Sequence, residues 1–140
     1  MTGNDFMSWV LRSPLHSMLS NGMMLITVRG RKTGRQYTTP VEYFRENGYL
    51  FVMTNRNRTW WRNLKDGAQV SLLLQRKPVH AFAELELDEK LVEIHMLEYL
   101  QHRPQVAKPL GIHMENGNAN MEDIARIAKD RLFVKLKQIT

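Results

Sequence analysis

From Met23 to Ile139 the chain moves between short apolar runs and polar punctuation, a pattern that predicts strands more often than helices. Met23–Arg29 reads as a buried strand, and Tyr37–Arg45 as a second one after an intervening basic turn. Glu46-Asn47-Gly48 then makes a tight turn into a strand over Tyr49–Thr54, since Asn-Gly between apolar runs favours a hairpin. Thr59–Lys65 predicts a short helix closed by Asp66-Gly67, followed by a strand over Ala68–Leu74. Arg76-Lys77-Pro78 is expected to turn the chain into a strand over His80–Leu87. There Ala81, Ala83, Leu85 and Leu87 fall on one face, and His80, Phe82, Glu84 and Glu86 on the other.

Helical periodicity marks fewer segments. Asp5–Leu19 reads as an amphipathic helix with Phe6, Trp9, Val10 and Leu11 on one side, interrupted at Pro14. Asp88 caps a helix running to about Gln101, whose apolar stripe is expected from Leu91, Ile94, His95, Leu97 and Tyr99. Pro104–Asn120 is less regular and reads as a flap with its turn at Asn116-Gly117-Asn118. Met121–Lys129 is a further helix, and Arg131–Ile139 a last strand with Leu132, Val134 and Leu136 alternating against Arg131, Lys135 and Lys137. Roughly five or six antiparallel strands with sparse helices predict an α+β chain, mainly antiparallel β, folded as a small barrel or curled sheet. Residues 1–140 are expected to form one domain.

Composition narrows the chemistry. The 140 residues include no cysteine, which removes disulfides, thiolate metal sites and cysteine nucleophiles. The five histidines (His16, His80, His95, His102, His113) have no metal-ligand spacing, so no metal is expected. No Gly-x-Ser-x-Gly element, Walker loop or Gly-x-Gly-x-x-Gly fingerprint occurs. No apolar run reaches the roughly 20 residues of a membrane span, and the N-terminus lacks a secretion pattern. A cytoplasmic protein without a transmembrane segment is the expectation.

The net charge is +6 at pH 7 and the sequence pI about 9.8, a balance suited to anionic partners. Arg29, Arg31, Lys32 and Arg35 crowd one turn; Arg56, Arg58 and Arg62 crowd another. Within the first, Gly30-Arg31-Lys32-Thr33-Gly34 joins adjacent cations, a hydroxyl and two flexible glycines. That mixture suits a bound anion, although a hairpin turn facing water would use the same residues. The helix at Thr59–Lys65 puts Trp60 and Asn63 on one face, where an indole beside an amide could hold a flat heterocycle or simply face the core. Ahead of it, Val52-Met53-Thr54-Asn55-Arg56 ends a strand on a polar switch, as pocket walls and solvent exits both do.

Taken in order, Gly-Arg-Lys-Thr-Gly, then Thr39-Pro40-Val41, a strand ending in small polar residues, Thr-Trp-Trp-x-Asn-Leu and Val70-Ser71-Leu72 resemble the deazaflavin-dependent nitroreductase family. The resemblance spans roughly Met23–Leu87. It implies a split β-barrel of the FMN-binding, pyridoxamine-phosphate-oxidase-like kind with flanking helices, binding coenzyme F-420. By the match, Arg31, Lys32 and Thr33 would hold the anionic phosphate–glutamate tail. Met53, Thr54, Asn55 and Arg56 would lie along the ring and ribityl chain, and Trp60 and Asn63 would close the opposite side; Gly34, Thr39 and Pro40 are further expected cofactor contacts. Tyr37 stands where relatives usually carry a basic residue, Asn55 where serine is frequent, and Pro104–Asn120 contains no tyrosine; no catalytic acid is assigned.

The implied activity is hydride transfer from the reduced deazaflavin to an electron-poor small molecule such as a nitro compound, quinone or activated alkene. FMN, with its single phosphate, is the alternative cofactor. A carrier without turnover and a single-stranded nucleic-acid-binding module are further readings. Exposed strand edges leave a homodimer open.

Overall fold

The computed structural model describes residues 22–139, so the helix expected over Asp5–Leu19 lies outside the described residues. Among the described residues nine strands form: β1 (Met23–Arg29), β2 (Gln36–Glu42), β3 (Phe44–Glu46), β4 (Tyr49–Asn55), β5 (Ala68–Leu74), β6 (Lys77–Glu86), β7 (Met114–Glu115), β8 (Asn118–Ala119) and β9 (Arg131–Gln138). The helices are α1 (Glu89–His102), α2 (Ala107–Leu110) and α3 (Met121–Ala128), with 3-10 turns at Trp60–Leu64 and Pro104–Val106.

Seven strands make one antiparallel sheet in the order β2-β1-β5-β6-β9-β4-β3. Its two edges, β2 and β3, are neighbours in sequence, separated by Tyr43 alone. Such an order is possible only if the sheet curls until its edges meet. The single strand expected over Tyr37–Arg45 is therefore broken at Tyr43, and its halves serve opposite edges. The break is held from outside. The Tyr99 hydroxyl of α1 donates to Glu42 Oε1 (2.5 Å), Arg103 pairs with the same carboxylate (3.3 Å), and the Arg103 guanidinium donates to the Tyr43 carbonyl (3.3 Å).

Period-two alternation sorts the strands' side chains into two cores. Met24, Ile26, Val28, Leu50, Val52, Val70, Leu72, Ala81, Ala83, Leu132, Val134 and Leu136 fill the inside of the curl. Phe44, Phe51 and Phe133 face outward and are covered by Val92, Met96, Tyr99 and Leu100 of α1 and by Ile124, Ile127 and Ala128 of α3. The alternation expected for β6 and β9 is thus met by Ala81, Ala83, Leu132, Val134 and Leu136. Leu87, past the end of β6, is 40% exposed.

The stripe expected for α1 is corrected. Val92, Met96, Tyr99 and Leu100 are buried, whereas Leu91 and Ile94 are exposed, the latter by 52%. The helix carries apolar residues around most of its circumference, so its own pattern does not decide which side meets the sheet; Phe44, Phe51 and Phe133 do. The expected turn at Arg76-Lys77-Pro78 also moves. Gln75 and Arg76 take positive φ (50° and 69°), and Pro78 is already in β6, paired with Leu73. Proline is tolerated there because β9 pairs only with Ala81–Glu86, leaving that stretch of β6 unpartnered on one side. Pro104–Asn120 folds into a 3-10 turn, α2 and the β7–β8 hairpin, which reverses at Asn116-Gly117 (φ 52° and 79°).

Among the described residues no helix is long and apolar enough to cross a membrane, and no group of His, Asp and Glu side chains could hold a metal ion.

Burial first, and the hydrogen-bonded Glu42 carboxylate second, push the Tyr99 phenol well above its ordinary value near 10. Folding disfavours the phenolate, so this group costs no stability below about pH 10 and destabilises the native state as pH rises above it. Wild-type stability should fall more steeply above pH 10 than that of Tyr99→Phe, measured by urea unfolding at each pH; parallel curves would remove Tyr99 from the clasp on Glu42.

Candidate functional site

The basic turn after β1 is closed by its own backbone. Gly30 N–H donates to the Arg35 carbonyl (2.6 Å) and Gly34 N–H to the Gly30 carbonyl (2.9 Å), while the Thr33 hydroxyl accepts from Arg35 N–H (3.2 Å). Gly34 has φ +72°, a left-handed conformation that glycine adopts without strain. Gly30 is required for a different reason: a Cβ there would lie 2.8 Å from the Tyr37 ring. The N–H groups of Lys32 and Thr33 meet no acceptor among the described residues.

Asn63 joins this turn to the 3-10 turn at Trp60–Leu64. Its Oδ1 accepts from Arg31 N–H (3.2 Å), its Nδ2 donates to the Trp60 carbonyl (3.1 Å), and the Arg31 guanidinium donates to the Lys65 carbonyl (3.0 Å). Trp61 is fixed separately, Nε1 donating to the Asn55 carbonyl (3.1 Å) with the Arg62 guanidinium over its ring at 5.5 Å. Trp60 remains half-buried at the mouth of the curl.

Two clefts meet at Trp60. The first, about 500 Å³, is lined by Gly30, Arg31, Lys32, Thr33, Tyr37, Thr59, Arg62 and Asn63 along with the indole. The second, about 450 Å³, is bordered by Thr39, Pro40, Val41 and Glu42 of β2, Met53, Thr54 and Asn55 of β4, and Arg58, Trp60 and Arg131. Asn55 Oδ1 is buried without a hydrogen-bond partner, an arrangement that a ligand donor would relieve.

Of the residues singled out from sequence, Arg31, Lys32, Thr33, Trp60 and Asn63 border the first cleft, and Thr39, Pro40, Met53, Thr54, Asn55 and Trp60 the second. Gly34 shapes the turn without lining a cleft. Arg56 is separated from both: its Nε donates to the Arg131 carbonyl (2.8 Å), and its terminal nitrogen to the carbonyls of Leu87 (2.6 Å) and Ala128 (3.5 Å). One guanidinium thereby ties together the ends of β6, α3 and the start of β9. Among the cleft residues that sequence reasoning did not assign are Tyr37, Glu42, Arg58, Thr59, Arg62 and Arg131. Thr59 and Arg58 adjoin the Trp-Trp motif and were within reach of its extension; Arg131 comes to β4 only through the pairing Asn55↔Arg131.

A curled antiparallel sheet with a cleft at its open side is the architecture of the flavin-binding split barrels, and solved structures carry the same fold. A candidate pyridoxamine 5'-phosphate oxidase of Listeria innocua superposes with a TM-score of 0.56 at 9% identity, covering 90% of this chain and 91% of that one. A conserved hypothetical protein of Mycobacterium tuberculosis gives 0.58 at 12% identity, covering 100% and 82%, and a domain-swapped dimer gives 0.54 at 17%, covering 93% and 98%. No curated protein matches the chain. Residues 14–105 match the F420H(2)-dependent quinone reductase family, and the chain belongs to that family: it is an oxidoreductase with F420 as its cofactor.

Arg56→Ala should lower stability by about 2–4 kcal/mol, read from denaturant midpoints, because three carbonyls lose a charged donor. F420 affinity of the folded variant should stay within about threefold of wild type, a comparison that separates a structural arginine from a cofactor contact. Asn63→Ala should do the reverse, weakening F420 binding by roughly 5- to 20-fold while costing about 1 kcal/mol of stability.

Proposed function

We propose that this protein reduces a quinone or a related electron-poor small molecule, nitro compounds and activated alkenes included, with reduced F420 held across the two clefts that meet at Trp60. The observation that carries the reading is that two clefts share Trp60, with the cations Arg31 and Lys32 lining the first and Met53, Thr54 and Asn55 bordering the second. When bound, F420 supplies hydride from its deazaflavin ring. Arg31, Lys32, Thr33 and the open N–H groups of their turn suit the phosphate–glutamate tail, and Gly30 and Gly34 allow the backbone to approach it. Met53, Thr54 and Asn55, with Thr39 and Pro40 opposite, offer a mainly polar slot to the ring. Trp60 borders both parts, and Asn63 holds the two turns at a fixed spacing.

The residues' contribution is orientation and electrostatics. The carboxylate in the second cleft, Glu42, is engaged by Tyr99 and Arg103, so the proton that completes reduction of the acceptor is assigned to water. A cytoplasmic setting belongs to the same reading. The reading extends to a homodimer, a state described for the domain-swapped neighbour.

Titration with oxidised F420, FMN and a single-stranded oligonucleotide at low and high salt tests the proposal. Saturable F420 binding that tolerates salt, with FMN much weaker, is expected; steep salt dependence with the oligonucleotide preferred would overturn it. Arg31→Ala/Lys32→Ala should weaken F420 by about 10- to 100-fold, with only a small drop in melting temperature from the lost bond between Arg31 and the Lys65 carbonyl. An unchanged dissociation constant would return this turn to a solvent-facing role.

A further inference from the structure

The second cleft contains more positive charge than its own carboxylate balances. Arg131, half-buried at the start of β9, and Arg58, exposed after β4, both border it, and neither side chain meets an acceptor or carboxylate among the described residues. Glu42 is already held by Tyr99 and Arg103. A half-buried guanidinium has lost part of its hydration without gaining a partner, so a bound anion is favoured there. The first cleft has its own cations in Arg31, Lys32 and Arg62, so an anionic cofactor tail does not require this second pair.

We propose that the electron acceptor enters the second cleft beside the deazaflavin ring, and that Arg131 and Arg58 at its border select acceptors bearing an acidic group, a carboxylate or sulfonate. This deepens the reductase reading and rests on it. The planar guanidinium fork matches an oxyanion with two parallel N–H donors, fixing the acceptor's orientation as well as its charge. The acidic group is unchanged in the reaction. A quinone acceptor gains two electrons and two protons: one proton arrives with the hydride from the reduced deazaflavin, and the other from solvent, to which the oxidised cofactor releases one in turn.

The test compares a naphthoquinone sulfonate with the uncharged parent naphthoquinone, in wild type, Arg131→Gln, Arg58→Gln and the double variant. Each acceptor is compared with itself across variants, which cancels their different reduction potentials. For the double variant, kcat/KM for the sulfonate should fall by about 10- to 100-fold, mostly through KM, while the parent changes by less than about threefold and F420 affinity by less than about twofold. Equal losses on both acceptors, or a parallel loss of F420 affinity, would overturn the assignment, the latter giving the arginines to the cofactor.

Calorimetric titration of the cofactor-free protein with each naphthoquinone gives a readout independent of turnover. Arginine-dependent binding of the sulfonate there supports the site even if wild type fails to bind F420, a result that would sink the reductase reading alone. Absence of such binding overturns the site. If Arg131→Gln lowers the melting temperature, the exposed Arg58→Gln carries the comparison.

Discussion

The fold depends on one break. Because β2 and β3 flank Tyr43 and lie at opposite edges of a seven-stranded order, the sheet has to curl until the two edges meet. Antiparallel strands twist readily but do not close without some element to hold the bend. Here the end of α1 supplies it, through Tyr99 and Arg103 on Glu42 and Arg103 on the Tyr43 carbonyl. The same helix covers Phe44, Phe51 and Phe133 on the outside of the curl, so clasp and outer core are one construction.

Closure also makes the clefts. It brings Thr39 and Pro40 of β2 to face Met53, Thr54 and Asn55 of β4 across the second cleft, although the two strands share no ladder. Asn63 and Arg31 then fix the basic turn to the Trp60 segment, which joins that cleft to the first. Polar groups divide into two kinds. Asn63, Arg56 and Glu42 are engaged by bonds within the protein and set distances, whereas the side chains of Arg131 and Arg58 border the second cleft and meet no acceptor among the described residues. Open groups bordering a concave surface are where a ligand gains most from preorganisation.

Membership of the F420H(2)-dependent quinone reductase family gives this arrangement its chemistry. Catalysis by positioning needs no nucleophile, thiol or metal, in keeping with a chain that has no cysteine. In the proposed reading, the cations of the first cleft take the anionic tail of the cofactor and the second cleft takes its ring. That reading draws on the partition of charge between two clefts more than on the total of +6.

Much of this was legible along the chain. Strand positions, the Asn47-Gly48 hairpin, the Asp88 cap and the inward rows of β6 and β9 follow from side-chain size, alternation and turn chemistry, which act over a few residues. The motif order also pointed to the cofactor and to eleven of the cleft and turn residues, from Arg31 to Asn63. Distant partners chose the rest. The buried face of α1 was decided by three phenylalanines on the sheet, and the break at Tyr43 by residues some 60 positions later (|i−j| = 60). Arg56 resembles a site cation in sequence and became a structural one because the carbonyls of Leu87, Ala128 and Arg131 converge on it. Arg131 made the opposite move, since only strand pairing puts it beside Asn55. A side chain's type fixes what it can bind; which partner reaches it first is a property of the closed sheet.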